Sequence, residues 1–414
     1  MRVDLFIARR LRLSDGQGNR SNVALRISTA GVLLSVMIML LSLAITAGFK
    51  KEIQDKITGF DGQLTVELQQ TDVTTARQPI EYYADVMSLI GQTLGDAKAE
   101  PVTKLPGMLK TDDTFAAVVF CGYGGDSHAE FLKGNITEGE MPDFKDNANA
   151  VAISSAVAGQ LGLKAGDKIN ACFFAGEKMR LRNFEVAAIY SSGFQEYDKV
   201  VAYAPIATLN KIACIPDGCA STIEVNGLEL EALPAAQDAL ARTLSNGFYS
   251  GALPQYLNVV SILETGAMYF NWLSLLDTNV VVIMILMTAI SMFTLTASLI
   301  ILILERVNMI GTLKMLGATN AMIRRIFIML DMKVLARGLI AGNAIALALI
   351  IIQDKLRLMP LDPESYYISF VPVEISPTAV ILLNAGFVAV AVAVVIVPSL
   401  IITRLRPASI LRYE

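Results

Sequence analysis

Four long apolar runs constrain this chain more than any other feature of its sequence. They cover residues 23–48, 273–304, 326–352 and 378–403. A helix of about 20 residues crosses the roughly 30 Å hydrocarbon core of a bilayer. The first run is far longer than the apolar region of a signal peptide, so we interpret it as an uncleaved anchor. The sequence therefore predicts a polytopic α-helical membrane protein with four transmembrane helices.

The distribution of arginine and lysine predicts the orientation of these helices. Basic residues are concentrated in the N-terminal segment 1–22, in the loop 305–325 and in the tail 404–414. The loop 353–377 instead has Lys355 and Arg357 against four acidic residues. Because basic loops remain in the cytosol, we place both termini and the loop 305–325 there. Residues 49–272 and 353–377 then lie on the outer side.

Residues 49–272 are predicted to form a large α+β domain on stalk helices. Phe49, Ile53 and Ile57 recur every four residues, which is typical of an amphipathic helix that extends the first span. A similar spacing before the second span includes Trp272 and predicts a second stalk. We expect strands in "GQLTVEL", "TFAAVVFCGY", "NFEVAAIYSS" and "KVVAYAPIATLNKI". We expect helices in "IEYYADVMSLIGQTL", from Ser155 onward, and in "ALPAAQDALARTLS".

Several classes of function find no support in the sequence. The net charge of −4 and the lack of a basic aromatic patch argue against nucleic-acid binding. His128 is the single histidine, which argues against a histidine-based metal or catalytic site. The chain has no G-x-x-x-x-G-K-[ST], H-E-x-x-H or G-x-S-x-G motif. We therefore predict no catalytic, cofactor-binding or metal site in this chain, and no enzyme activity of its own.

All four cysteines lie within residues 49–272. In "CIPDGC", a turn between Cys214 and Cys219 could bring the two thiols together. They are a candidate disulfide, and the alternative is that the cysteines are free, buried and packed as small apolar residues.

Charged residues near the start of the third run conflict with a span there. Asp331, Lys333 and Arg337 would each cost about 2.5–3.5 kcal/mol at the bilayer centre. We expect this part of the helix to lie at the cytosolic interface with its long side chains reaching water. The alternative is a functional charge within the membrane.

The loop "ERVNMIGTLKMLGATNAMIRRIF" is predicted to contain a short amphipathic helix. Met309, Ile310, Leu313 and Leu316 fall on one face of it. Gly317 is placed to end this helix, and Thr319 or Asn320 to cap the next one. An apolar ridge of this kind suits the groove of a partner protein, or equally the lipid headgroups.

This loop resembles the E-R-x-x-x-I-G-x-L-[KR]-x-[LI]-G-A pattern of FtsX/MacB/LolE-type ABC transporter permeases. The start, "LFIARRLR…ISTAGVLLSVMIMLLSLAITAGFKKEIQDKITGF", looks like the lipoprotein-releasing permeases LolC and LolE. "VAISSAVAGQLGLKAGDKI" is similar to the exported domain of the same family. The resemblance extends over nearly the whole chain.

The resemblance implies a bacterial inner-membrane subunit that binds no nucleotide and relays force from a cytosolic ABC ATPase dimer. ATP and Mg²⁺ would be used by that partner. The implied partners also include a second permease copy (homodimer or LolC/LolE-like heterodimer), a lipoprotein substrate, a periplasmic carrier such as LolA, and membrane lipids. The implied coupling helix that docks on the ATPase includes Glu305, Arg306, Met309, Ile310, Leu313, Lys314, Leu316 and Gly317.

The same resemblance implies a cavity that accepts the acyl chains of the substrate. Candidate walls are Val36, Leu40, Leu43, Phe49, Met268 and Trp272, for which ordinary helix or lipid packing is the alternative. Two other functions stay open for the chain as a whole. One is a MacB-like efflux permease with an adaptor and an outer-membrane channel, and the other is an FtsX-like signalling permease that controls cell-wall hydrolases.

Overall fold

A computed structural model gives the fold of the chain. It describes residues 19–69, 78–95, 97–125, 127–142, 144, 147–175, 178–362, 366, 368 and 370–399. These residues divide into two compact units. The helical unit contains the described residues up to Lys51, Leu273–Pro360 and those from Phe370 onward. The α+β unit contains Glu52–Trp272, with described residues between Leu361 and Ile368.

The described elements follow one another along the chain in this order: α1 (Asn19–Phe60), β1 (Leu64–Leu68), α2 (Tyr83–Leu94), β2 (Lys98–Lys110), β3 (Phe115–Tyr123), α3 (Ser127–Gly134), β4 (Ile136–Gly139), β5 (Ala150–Ser154), α4 (Ser155–Leu161), β6 (Lys168–Ala175), β7 (Lys178–Tyr190), α5 (Gln195–Asp198), β8 (Val201–Tyr203), α6 (Ile206–Ala213), β9 (Thr222–Asn226), a 3-10 turn (Leu230–Ala232), α7 (Leu233–Tyr249), β10 (Leu257–Ser261), α8 (Ile262–Thr265), α9 (Ala267–Glu305), α10 (Val307–Met315), α11 (Asn320–Leu356) and α12 (Pro377–Ser399).

The helical unit is built from the four predicted apolar runs. Helices long and apolar enough to cross a membrane cover Leu25–Phe60, Ala267–Glu305, Asn320–Leu356 and Pro377–Ile396. Their facing sides form one apolar core, which includes Val32, Leu295 and Phe327. The predicted fold class, four membrane-spanning helices with an α+β domain after the first, is confirmed.

The α+β unit is organised around a mixed sheet of ten strands in the described part of the chain. The strand order is β10-β1-β9-β2-β3-β8-β5-β7-β4, and β6 pairs with β2 and β7. The β3–β8 and β5–β7 pairs are parallel, and the others are antiparallel. Phe120, Phe173 and Phe184 meet in the core on one face, with ring centroids 4.7–6.3 Å apart.

Most of the predicted elements of this unit are present. The expected strands correspond to β1, β3 and β7, and the expected helices to α2, α4 and α7. The amphipathic continuation of the first span is also confirmed, because α1 runs to Phe60 and buries Ile53 and Ile57 completely.

One sequence expectation about an element was wrong. "KVVAYAPIATLNKI" is a strand over only Val201–Tyr203 and then a helix, α6, that buries Leu209 and Ile212 on one face. Pro205 before α6 ends the strand, and the spacing of three between these two residues suits a helix rather than a strand. The predicted extension before the second span is present, because α9 begins at Ala267, after the separate helix α8 and Gly266.

Candidate functional site

The loop between α9 and α11 contains the short helix α10, which ends in a glycine cap. Gly317 has φ of +88°, a left-handed conformation that glycine adopts without strain. Its N–H donates to Lys314 O at 3.1 Å, and the N–H of Ala318 donates to Leu313 O at 2.9 Å. These two bonds satisfy carbonyls at the end of α10, as in a Schellman motif. The predicted glycine stop is therefore confirmed.

The start of α11 is capped by Thr319, one of the two residues expected to do so. Its side chain accepts a hydrogen bond from the N–H of Met322 at 3.3 Å. The caps on both sides of Gly317 fix the turn between α10 and α11, so the end of α10 and the start of α11 are set by local sequence.

The predicted apolar ridge of α10 does not face outward as a whole. Ile310 is completely buried, and Met309 and Leu313 pack against the core of the helical unit. The exposed apolar residues are instead Met315 and Leu316, at 57% and 79% of their accessible surface. The periodicity identified the apolar face correctly, but most of that face packs against the chain's own helices. The tip of α10, formed by Met315 and Leu316, is what remains available to another protein.

The polar residues named for the coupling helix lie at the two ends of α10. Glu305 is the last residue of α9 and is exposed, whereas Arg306 and Lys314 are half-buried. Arg306 is the residue just before α10, and its carbonyl accepts from the N–H of Ile310 at 2.9 Å. The role of these residues toward an ATPase remains a prediction.

The α+β unit exposes an apolar face that the sequence analysis did not identify. Phe174, Met179 and Leu181 lie on one side of the β6–β7 hairpin and are each 60–64% exposed. Phe174 pairs with Met179, and Leu181 with Cys172. The same side of the sheet continues into the neighbouring strands, because Cys172 pairs with Met108 and Met108 pairs with Ala117. We call these six residues the hairpin face.

A signal for the hairpin face is present in the sequence. In a strand with one solvated side, apolar residues alternate with polar ones. β6 instead has the pair Phe173 and Phe174, of which the first is buried in the core and the second exposed. In β7 the apolar Met179 and Leu181 lie on the opposite face of the strand from the buried Phe184. Apolar residues on both faces of one hairpin predict a second apolar surface besides the one in the core.

The six residues named as cavity walls are placed differently from one another. In the helical unit, Val36 and Leu40 are buried in the core. Leu43 packs at the edge of that core, and Phe49 is half-buried. In the α+β unit, Met268 is 70% exposed and Trp272 is half-buried. Packing inside the chain therefore accounts for Val36 and Leu40.

The four cysteines are free thiols in this structure. Cys121 and Cys172 are buried, whereas Cys214 is exposed. Cys214 ends α6 in a left-handed conformation, and its sulfur accepts a hydrogen bond from Arg180 Nη2 at 2.8 Å. The Cys214–Cys219 pairing remains a prediction for the oxidised protein.

The charged residues of α11 separate into two groups. Lys333 and Arg337 are exposed, which fits side chains that reach the interface. Asp331 is only 1% exposed, and its Oδ2 has no hydrogen-bond partner among the described residues. Asp331 therefore lies on the side of α11 that packs against the other helices, and its position relative to the membrane interface remains a prediction.

Two known sequence families match this chain. Residues 27–243, more than half of the chain, match the family described as the MacB-like periplasmic core domain. Residues 281–407 match the family described as the FtsX-like permease C-terminal. The chain belongs to the MacB/FtsX-type permease family. It is thus a multi-pass membrane subunit of the ABC transporter type, as the loop and N-terminal motifs predicted.

Several curated proteins resemble this permease over nearly its full length. A lipoprotein-releasing system transmembrane protein LolC from Xylella fastidiosa is 21% identical over 402 residues, covering 94% of this chain and 93% of the relative. The LolC of Neisseria meningitidis serogroup B is also 21% identical, with 98% coverage of each chain. The LolE of Haemophilus influenzae is 20% identical, with 99% coverage of each.

Two solved structures resemble part of the permease. The periplasmic region of MacB from Actinobacillus actinomycetemcomitans covers 50% of this chain and 92% of its own, with 14% identity and a TM-score of 0.34. The extracellular domain of the noncanonic ABC-type transporter YknZ from Gram-positive bacteria covers 48% of this chain and 99% of its own, also with 14% identity and a TM-score of 0.34.

Proposed function

We propose that this permease releases lipoproteins from the bacterial inner membrane to a periplasmic carrier such as LolA, using ATP hydrolysis by a separate cytosolic ATPase. The observation that carries this proposal is the hairpin face. Exposed apolar surface on an aqueous domain is costly, and such a patch is typical of a protein-binding site. A carrier that receives acylated proteins must dock on the permease before the acyl chains are transferred.

The relatives support the same substrate class. LolC and LolE of three species are named as lipoprotein-releasing proteins and align with nearly the whole chain. The motifs at the start of the first span point the same way. At about 20% identity the substrate does not follow from the names alone, so lipoprotein release is our proposal for this chain.

The proposed energy source lies on the cytosolic side. Basic residues in the loop and at both ends of the chain favour a cytosolic location for α10 and both termini, with the α+β unit in the periplasm. The exposed tip of α10, Met315 and Leu316, would dock on an ABC ATPase dimer that holds ATP and Mg²⁺. The permease itself would bind no cofactor.

A second permease copy is part of the proposal. Four spans are few for a transport path, so we expect two copies, identical or LolC/LolE-like, with two ATPases. Removing acyl chains from a bilayer costs about 0.8 kcal/mol per CH₂, so a multiply acylated lipoprotein does not leave spontaneously. The half-buried Phe49 and Trp272 and the exposed Met268 remain candidate contacts for these chains.

The test is depletion of the permease in its host, followed by separation of inner and outer membranes. Lipoproteins should accumulate in the inner membrane. In a second arm, the purified permease–ATPase complex in nanodiscs should release an acylated lipoprotein only when both ATP and a soluble carrier are added. Normal lipoprotein sorting after depletion contradicts the proposal.

The alternative functions predict other results of the same depletion. A MacB-like efflux permease gives drug sensitivity with normal lipoprotein sorting. An FtsX-like signalling permease gives chains of undivided cells with normal sorting and normal drug resistance. The structural resemblance to the periplasmic region of MacB is a likeness of part of the chain and carries no weight between these alternatives.

A further inference from the structure

Side chains of the α+β unit hold the last turn of α1. The final carbonyls of a helix have no partner within the helix and must be satisfied elsewhere. Gly59 O lies 2.8 Å from His128 Nδ1, and Phe60 O accepts from the hydroxyl of Tyr123 at 3.0 Å. The next residue, Asp61, accepts from Lys104 Nζ at 2.6 Å. The end of α1 is thus bonded to α3, β2 and β3 within this unit.

His128 is the most enclosed of these partners. It lies in α3 and is 2% exposed. Its Nε2 is 3.1 Å from Oε2 of Glu224 in β9 and 3.6 Å from Oε1 of Glu100 in β2. The ring of Tyr123 stacks on the imidazole, with centroids 3.8 Å apart. Both ring nitrogens therefore face oxygen atoms, in a site closed to water.

The partners of His128 determine how many protons its ring carries. The Gly59 carbonyl can only accept, so Nδ1 must donate to it. An ionised carboxylate can also only accept, so a short contact with Glu224 requires a proton on Nε2 as well. A neutral imidazole has only one N–H and cannot satisfy both acceptors.

Glu224 is held in its ionised form by a second cation. Its Oε1 lies 2.8 Å from Lys104 Nζ, and its side chain is completely buried. Burial alone would raise the pKa of this carboxyl, but Lys104 and His128 lower it to about 2. The proton in the contact between His128 and Glu224 therefore stays on the ring.

We propose that His128 is a positioning residue that, as an imidazolium, donates one hydrogen bond to the Gly59 carbonyl and one to Glu224. These two hydrogen bonds, which we call the pin, hold the last turn of α1 against the sheet, and one of them is lost when the ring deprotonates. The pin itself depends only on the contacts above. Its consequence for transport, a pH-dependent hold on the last turn of α1 within the α+β unit, rests on the proposed function.

The groups that face His128 favour its charged form. The ring is approached by the carboxylates of Glu224 and Glu100, the carbonyl of Gly59 and the phenol ring of Tyr123, while Lys104 lies beyond Glu224 and Asp61 beyond Lys104. The two charged residues on α3 itself, Glu130 and Lys133, are exposed.

Burial by itself would lower the pKa of His128. The hydrogen bond and charge of Glu224, followed by the Gly59 carbonyl and Glu100, outweigh burial and raise this pKa above its usual value near 6.5. A raised pKa means that the stability from the pin is complete below about pH 6.5 and is lost as the pH rises through the pKa of the folded state.

The decisive experiment uses the fact that His128 is the single histidine of the chain. The full-length protein, purified without a polyhistidine tag, is labelled with ¹⁵N-histidine and reconstituted in nanodiscs. At about pH 6.5, NMR should show both ring nitrogens protonated, with deprotonation only at higher pH. A ring with one unprotonated nitrogen at about pH 6.5 overturns the proposal.

A matched pair of variants tests the partners of the ring. Glu224→Gln keeps the shape of the side chain but removes its charge, so the pKa of His128 should fall below that of the wild type. Glu130→Gln removes a carboxylate from the exposed side of α3 and should leave the pKa within about 0.2 units. An unchanged pKa in Glu224→Gln overturns the assignment of Glu224 as the partner that holds the proton.

The pin is tested separately by stability. The melting temperature of the wild type should exceed that of His128→Gln by an amount that shrinks between about pH 6 and about pH 9. A difference that stays constant with pH overturns the pin. Neither the NMR nor the melting experiment involves lipoproteins or ATP. If the depletion test contradicts lipoprotein release, the NMR and melting results are unaffected. If the NMR or melting experiment contradicts the pin, the proposal of lipoprotein release is likewise unaffected.

Discussion

Asn343 of α11 and Asn384 of α12 each donate a side-chain amide hydrogen to the other's side-chain oxygen, at 2.8 and 2.9 Å. The second amide hydrogen of each residue goes to a carbonyl of its own helix, Leu339 O for Asn343 and Val380 O for Asn384. Both donors of each side chain are therefore satisfied between largely apolar stretches of the two helices. Interhelical amide bonds of this kind stabilise helix association within a membrane.

Replacing Asn384 with leucine should destabilise the helical unit by about 1–2 kcal/mol, because Asn343 keeps polar atoms with no partner across the interface. The measurement is reversible unfolding of the purified permease in detergent. The double variant Asn343→Leu/Asn384→Leu should recover part of the loss, since it leaves neither amide unpaired. Equal losses in the single and double variants would mean that the two amides do not act as a pair.

A side chain introduced at Gly48 should clash with neighbouring backbone inside the helical unit. A Cβ built on Gly48 would lie 2.7 Å from backbone atoms of Pro372 and Val373. In the same region, the N–H of Glu374 donates to Ala44 O at 3.0 Å, so this backbone crosses α1 in close contact. Gly48→Leu should lower the free energy of unfolding by about 3 kcal/mol, because backbone cannot move aside as a side chain can.

Gly386 provides the matched control for this prediction. It lies in α12, and nothing is within 4 Å of a Cβ built on it. Gly386→Ala should leave stability unchanged or raise it by up to about 1 kcal/mol, as expected for alanine in a helix. Melting temperatures in one detergent compare the two variants, and equal stability of Gly48→Leu and the wild type would exclude the close contact.

Because the tip of α10 is exposed, a substitution there should impair ATPase binding without impairing folding of the permease. Leu316→Asp should leave the permease folded and inserted but weaken ATPase binding about tenfold, or about 1.4 kcal/mol. Co-purification and ATPase rates of the complex measure this effect. Undiminished binding would mean that the tip is not the docking site.

Leu313 is the control residue on the same helix. Because Leu313 packs against the core of the helical unit, Leu313→Asp should lower the stability of the permease alone by about 2 kcal/mol or more. Thermal unfolding without the ATPase separates the two variants. Similar stabilities of Leu313→Asp and Leu316→Asp would contradict the packing of α10.

A charged substitution in the hairpin face should weaken carrier binding without unfolding the protein. Leu181 is 64% exposed, so Leu181→Asp should cost little stability but weaken binding of a soluble lipoprotein carrier about tenfold. The neighbouring Arg182 is also exposed and points to the other side of β7, so Arg182→Asp is the control. Surface plasmon resonance with the reconstituted permease measures both, and equal effects would show that the hairpin face is not specific.

Much of the local structure follows from the sequence because its causes are local. Runs of apolar residues longer than the bilayer thickness specify the four membrane-crossing helices. Ile53 and Ile57 continue the first of them at helical spacing, and Gly317 and Thr319 mark where α10 ends and α11 begins. Each of these depends on backbone conformation, side-chain hydrogen bonds or apolar periodicity over a few residues, all of which can be read from neighbouring positions.

Contacts between distant segments could not be read in this way. Periodicity showed that Met309, Ile310 and Leu313 share a face with Leu316, but only packing decided that the first three face the chain's own core. The sequence also gave no reason to connect His128 with Gly59 and Glu224, which are 69 and 96 positions away. A buried ion pair forms wherever the fold brings opposite charges together, and no spacing along the chain encodes that meeting. The sequence by itself thus determined the class of membrane protein and the positions of its helices. The tertiary structure decided which apolar and charged residues are left for partners and which hold the chain to itself.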